Sequence, residues 1–214
     1  MARMDTTENT PAFDVVLASA SPRRRQLLEE AGVTFAVIEG DVDETLDADL
    51  LANPEEAAKK LAERKAGAAV QYILGTDYRG MLLVIGADTM VVNQGEIYGK
   101  PRNVDDGKRM LRALSGRTHQ VHTAVSVWLI SAQSAEDVSL GFRTFVDTTH
   151  VTFKEISDEE IADYLRKGES FDKAGAYAIQ GEGAALVEHI DGALDTVIGL
   201  PVGRLLEEFP ELRG

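Results

Sequence analysis

The chain has 214 residues, 44% of them hydrophobic, enough to fill the core of one globular domain or of two lobes sharing a core. Its 22 Lys and Arg stand against 36 Asp and Glu, a formal charge of −14 that opposes nonspecific attraction to nucleic acid or anionic membrane. There is no cysteine, which excludes disulfides, thiolate nucleophiles and cysteine-ligated zinc. Residues 1–11 are polar and are expected to fray, and no run is apolar for long enough to span a bilayer. The expected organisation is a single domain over residues 1–214, and the expected location is the cytoplasm.

Taken in order, Phe13 to Leu17 reads as a buried strand. Ser19-Ala20-Ser21-Pro22-Arg23-Arg24-Arg25 follows, then an amphipathic helix from Gln26 ended by Gly32, with Ser21 as N-cap and Pro22 in the first turn. Arginines in a first turn oppose the helix dipole. They are either a solvated helix start or one half of an anion site, and a phosphate suits the second reading. Thr34 to Ile38 can form a second strand before the acidic loop Glu39-Gly40-Asp41-Val42-Asp43-Glu44. Such loops are commonly just solvated, but Asp43 and Glu44 are also hard oxygen donors of the kind magnesium accepts beside phosphates. Asn53-Pro54-Glu55-Glu56 marks a helix start, with Glu56 at the capping-box position and the helix running to about Tyr72. Within it, Lys65 reads as a surface lysine.

Met81 to Val92 is the most apolar run, interrupted by Asp88, with room for a bend at Gly86-Ala87. A carboxylate in a buried strand must be paired, metal-bound or capping a strand end. Asn93 to Glu96 reads as a hairpin turn, and Gly99-Lys100-Pro101 holds a lysine on a short, stiff loop. It is no Walker A loop, since Gly95 to Lys100 has one residue too few between its glycines and Pro101 replaces the Ser or Thr. Asn103 to Leu114 is an amphipathic helix expected to pack on the sheet. Thr118 to Ile130 and Ser139 to Phe153 suggest an antiparallel pair, with Trp128 as packing. His119, His122, His150 and His189 form no His-x-x-x-His zinc pattern. Ser157 to Glu160 is a capping box for a helix ending near Gly168. In Asp172 to Gly183, Ala174, Gly175 and Ala176 would let backbone approach a ligand, and Gly181-Glu182-Gly183 lacks the rest of a dinucleotide fingerprint. A turn at Asp195 to Leu200 and a helix from Pro201 to Phe209 close the chain. Strands alternating with helices, and paired strands late, imply an α/β fold with a mixed sheet.

Ser19-Ala20-Ser21-Pro22-Arg23-Arg24-Arg25 after a strand resembles the N-terminal signature of the Maf family of nucleoside triphosphate pyrophosphatases. The similarity continues through Gly86-Ala87-Asp88-Thr89, Gly99-Lys100-Pro101, Asp172 to Tyr177, Ile179-Gln180-Gly181 and Gly199-Leu200-Pro201, in family order. The resemblance implies an elongated, two-lobed Maf/ITPase-like fold, with a mixed, largely antiparallel central sheet flanked by helices, a central cleft, and commonly a homodimer. It also points Lys65 at the site and favours Glu44 as the acidic participant.

Together these residues would make a triphosphate site. Ser19, Arg23, Arg24, Lys65, Thr89, Lys100, Lys173 and Gln180 are the substrate contacts that follow, and Glu44, Asp88 and Asp172 would hold a divalent metal cation, Mg2+ or Mn2+. Asp88 is the expected catalytic base or water-positioning carboxylate. Arg23, Thr89 and Gln180 resemble the subgroup acting on dTTP and UTP rather than the one acting on 7-methyl-GTP. The expected partner is a small nucleoside triphosphate, with neither nucleic acid nor membrane. The alternative is a nucleotide-binding regulator of cell division with little catalysis.

Overall fold

The computed structural model describes residues 14–40, 42–134 and 136–213, so Phe13 and the expected frayed segment 1–11 lie outside the described residues. β1 (Asp14–Leu17) leads through Ser19 into α1 (Pro22–Glu30), and β2 (Ala36–Val37) pairs with β1 in parallel. Ser21 sits at the N-cap of α1 in extended backbone, but its hydroxyl makes no capping bond. Its backbone N–H donates to Ser19 Oγ at 3.2 Å.

A four-residue helix, α2 (Ala48–Leu51), precedes α3 (Pro54–Leu74), whose N-cap Asn53 accepts from Glu56 N–H. The expected reciprocal half of that capping box is absent, because Asn53 N–H already donates to Leu50 O and the Glu56 carboxylate takes Lys59. β3 (Gly80–Asn93) turns through Gln94-Gly95, both at positive φ, into β4 (Glu96–Tyr98). α4 (Val104–Leu114) follows, then β5 (Thr118–Ala132) and β6 (Val138–Phe153), paired antiparallel along their length. Trp128 stacks on Phe142 at 4.5 Å, as packing. α5 (Asp158–Arg166) carries the full Ser157–Glu160 capping box. The chain ends through β7 (Val187–Asp191), the short α6 (Leu194–Ile198) where a turn was expected, and α7 (Val202–Glu208).

The sheet order is β2-β1-β3-β5-β6-β7, with β4 on β3. It is mixed. The expectation of a largely antiparallel sheet gives way at β1, which is parallel to both neighbours because helices α1 and α3 make the crossovers.

β3 organises the rest, since it is covered on both faces and its apolar residues sort by parity. Leu82 and Val84 pack with Ala69, Val70 and Ile73 of α3. Leu83 and Ile85 pack with Leu28 of α1 and Leu205 of α7. Further along, Val91 joins Leu111 and Leu114 of α4, Ile161 of α5 and Phe153. The bend anticipated at Gly86-Ala87 does not interrupt pairing, for the β3–β5 register runs unbroken through both residues. Gly86 serves a close approach instead: a Cβ there would lie 2.6 Å from Ala62 O and Ala66 N of α3. Among the described residues no helix is long and apolar enough to cross a membrane.

Candidate active site

The pleat of β3 assigns its two site residues to different helices. Asp88 shares the parity of Val84 and Gly86 and faces α3, where Lys65 sits within the Ala62–Ala66 turn that Gly86 touches. Thr89 shares the parity of Leu83 and Ile85 and faces α1. Lys65 Nζ donates to Asp88 Oδ1 at 2.6 Å and lies 2.7 Å from Glu44 Oε1, so one ammonium joins two carboxylates. The surface reading of Lys65 is thereby corrected: a flat helix face turns out to be pressed on a strand that carries a buried acid.

Asp88 is 8% exposed. Burial raises its carboxyl above the ordinary aspartate value, while the charges of Lys65 and Arg24 pull it back down. Glu44 moves the other way, lowered first by its hydrogen bond from Lys65. The two carboxylates that share one cation are thus pushed apart in acidity, with Asp88 the better base of the pair.

On the other face each nitrogen of Arg24 has a protein partner. Its Nε donates to Gly199 O at 2.8 Å, Nη2 to Thr89 Oγ1 at 3.1 Å and Nη1 to Ser19 Oγ at 3.4 Å. Arg23 differs, with a buried Nε that has no hydrogen-bond partner. Lys173 Nζ pairs with Asp172 at 2.6 Å. Arg23, Arg24, Glu44, Lys65, Asp88, Thr89, Lys100, Asp172, Lys173 and Gln180 all border one cleft of about 470 Å³, a size that suits a small molecule of nucleotide dimensions.

Gln180 is exposed at the cleft rim. The expectation for the small residues changes. Gly175 and Ala176 are small for the protein's own packing: Gly175 has φ 69° and a Cβ there would meet Val91 Cγ1 at 2.9 Å, while Ala176 is wholly buried in the cluster around Phe153. Only Ala174 of that trio borders the cleft.

Glu44 and Asp88 converge on a cation, and Asp172 is held separately by Lys173. Among the described residues no three His, Asp or Glu side chains gather so as to hold a metal ion by themselves. Glu44 and Asp88 are hard oxygen donors of the kind magnesium and manganese take, one or two at a time, beside phosphate oxygens and water, and the Lys65 ammonium stands between them.

The family model for Maf-like proteins matches residues 14–212. The chain belongs to the Maf family. Proteins from Bacillus thuringiensis subsp. konkukian and Bacillus anthracis, both named dTTP/UTP pyrophosphatase, are each 42% identical to it over 197 residues, covering 92% of this chain and 94% of theirs. Among solved structures, a nucleoside-triphosphatase / dITP/XTP pyrophosphatase from Mycobacterium abscessus aligns over 93% of this chain and 94% of its own, at TM-score 0.39 and 11% identity, too distant to bear on the site.

In this Maf chain, sequence reasoning passed over three contributors. Thr123 is wholly buried beside Thr89, and a threonine at an inward position of a Val-rich strand was the available signal. Gly199 acts through its carbonyl, which no side-chain pattern reveals. Tyr177 borders the cleft with its hydroxyl 2.8 Å from His119 Nε2, and burial pushes the phenol's pKa up.

Proposed function

We propose that this chain is a nucleoside triphosphate pyrophosphatase that hydrolyses dTTP and UTP to the monophosphate and diphosphate, a house-cleaning activity on the nucleotide pool. The observation that carries the reading is the buried Asp88, raised in pKa and hydrogen-bonded to Lys65, in a cleft otherwise bordered by Arg23, Lys100 and Lys173. The names of relatives at 42% identity favour the same activity and the pyrimidine substrates.

In this reading Lys65, Lys100, Lys173 and Arg23 neutralise the triphosphate, and the unpartnered Arg23 Nε is a donor in waiting for a phosphate oxygen. Asp88 orients a water and takes its proton as the water oxygen bonds to the α-phosphorus. The bond from that phosphorus to the bridging oxygen breaks, and diphosphate leaves with the electron pair. Glu44 and Asp88 would hold the divalent metal, with Asp172 available from the Lys173 side. When bound, the metal supplies charge neutralisation on the phosphate oxygens and lowers the pKa of water. Gln180, with a donor and an acceptor at the rim, suits the imide edge of uracil or thymine.

The proposal includes one domain with the cleft between two lobes, favoured by separate apolar clusters beneath α1 and α7 and beneath α4 and α5. It includes a homodimer, on the family resemblance alone. It places the work in the cytoplasm, where free nucleotides are, and takes nucleic acid as no substrate, in line with the −14 charge. An intact Asp88–Lys65–Glu44 group favours catalysis over a regulator that merely binds nucleotide.

The test is a panel of nucleoside triphosphates assayed for diphosphate and orthophosphate release with magnesium, manganese and excess chelator. Turnover of dTTP and UTP, lost on chelation, is the expected result. Full activity in chelator would contradict the metal, and equal efficiency on GTP and 7-methyl-GTP would contradict the pyrimidine preference.

A further inference from the structure

The edge of a sheet carries unpaired backbone groups, and proteins keep such edges short, charged or covered. Two edges of this sheet are short, for β2 has two residues and β4 three. β6 is different. It pairs with β5 from Val138 to Thr152, but on its far side β7 takes only His150 to Phe153. Gln133 N–H donates to Asp137 O and Phe153 N–H to Arg117 O, so the odd residues of β6 bond to β5 and the even ones turn their N–H and C=O outward. At Val146 the outward carbonyl accepts from Arg204 Nη1 of α7 at 2.6 Å. Among the described residues, no strand or side chain takes the outward groups of Val138, Leu140 and Phe142.

This open stretch, Val138-Ser139-Leu140-Gly141-Phe142, holds no charge and no proline. Leu140 is 48% exposed and Phe142 55%. The even side chains lie on the α3 face, where Thr144 Oγ1 donates to Glu63 and Phe142 stacks on Trp128. The odd ones lie on the α7 face, where Arg143 pairs with Glu208. A strand added here would cover apolar side chains and free backbone groups together.

The stretch is complementary to itself. Antiparallel pairing that sets Leu140 opposite the Leu140 of a second copy also sets Val138 opposite Phe142 on both sides, bonded through the outward groups of each copy. One apolar row then runs along the α3 face. On the α7 face the same register sets exposed Asp137 against Arg143 twice, whereas a shift of two residues puts Asp137 against Gly141 or Phe145 and loses both charge pairs.

We propose that residues 138–144 of β6 are a homodimer surface, pairing antiparallel with the same segment of a second copy about a two-fold axis at Leu140 and joining the two sheets into one. The homodimer inferred above from family resemblance thereby gains a surface, argued from this chain's own residues. Both clefts stay open in it. Leu140 aligns through Ile130 with Leu82 of β3, six residues and about 20 Å along the strand from Asp88.

The chain has no cysteine, so one introduced thiol reports the register cleanly. Leu140→Cys places a thiol at the axis, where facing Cα atoms of a bonded antiparallel pair are about 5.5 Å apart, within disulfide reach. Under mild oxidant it should give a covalent dimer of twice 23.2 kDa. Ser139→Cys, which faces Gly141 of the other copy rather than itself, should crosslink at least about tenfold more slowly. In sedimentation velocity at micromolar concentration the parent should be a dimer. Leu140→Lys, which sets two charges together at the axis, should be a monomer with the parental circular dichroism. A monomeric parent would overturn the proposal and the homodimer with it. A dimer that survives Leu140→Lys, fails to crosslink through Leu140→Cys, or crosslinks equally through Ser139→Cys would keep the homodimer and overturn this surface. Mass rather than turnover is read throughout, so the outcome is separable from that of the nucleotide reading.

Discussion

Asp88 on β3 and His119 on the neighbouring strand β5 show opposite consequences of burial on titratable groups. For Asp88, burial raises the carboxyl and Lys65 opposes the rise. A base must be deprotonated to act, so activity should climb with pH through a value above the ordinary 3.8 of a free aspartate. Replacing Lys65 with Met removes the opposing charge, and the acid limb of the kcat/KM profile should move to higher pH; a limb that stays put would detach it from Asp88. Asp88→Asn should cut kcat by at least about a hundredfold with a smaller change in KM, in protein shown by circular dichroism to be folded. For His119, burial lowers the imidazole from 6.5 to about 4. The unfolded chain then binds the extra proton between those values, so stability is fully present above 6.5 and is lost as pH falls toward 4. The span corresponds to roughly 3 kcal/mol at most. Urea midpoints measured from pH 7 to 4 should fall in the parent, and fall less in His119→Gln; equal slopes would remove His119 as the cause.

At the scale of elements, the decisive contact is α3 against β3. Ala57, Ala58, Ala62 and Ala66 are wholly buried, and this alanine-rich face lets the helix lie so close that Gly86 has no space for a Cβ. Gly86→Ala should cost about 2 kcal/mol or more, read as a lower urea midpoint, because backbone atoms rather than a flexible side chain must yield. It should also lower kcat, since Lys65 lies on the turn displaced from Asp88. Unchanged stability would show the contact to be looser than drawn. The elements themselves were largely legible, with helix starts at Asn53, Asn103 and Ser157 marked by caps that the structure contains. The misses share a cause. α2 and α6 are too short for a period to register, and at Glu56 the local capping pattern lost to another partner, Lys59.

At the scale of the molecule, charge type was readable and charge pairing was not. Arg23, Arg24, Lys65, Lys100 and Lys173 stand out on a chain of net charge −14, and Asp88 stands out inside an apolar run. That Lys65 meets Asp88 across 23 residues, or Arg24 meets Gly199 across 175, depends on sheet order and on the parity of β3, which a single sequence does not display. The parallel strands around β1 were hidden for the same reason. Everything proposed for the cleft comes down to where water attacks. The most direct measurement is hydrolysis of dTTP in water enriched in 18O, with mass analysis of both products. The account predicts one 18O in the thymidine monophosphate and none in the diphosphate. Label in orthophosphate, with thymidine diphosphate as the other product, would contradict it.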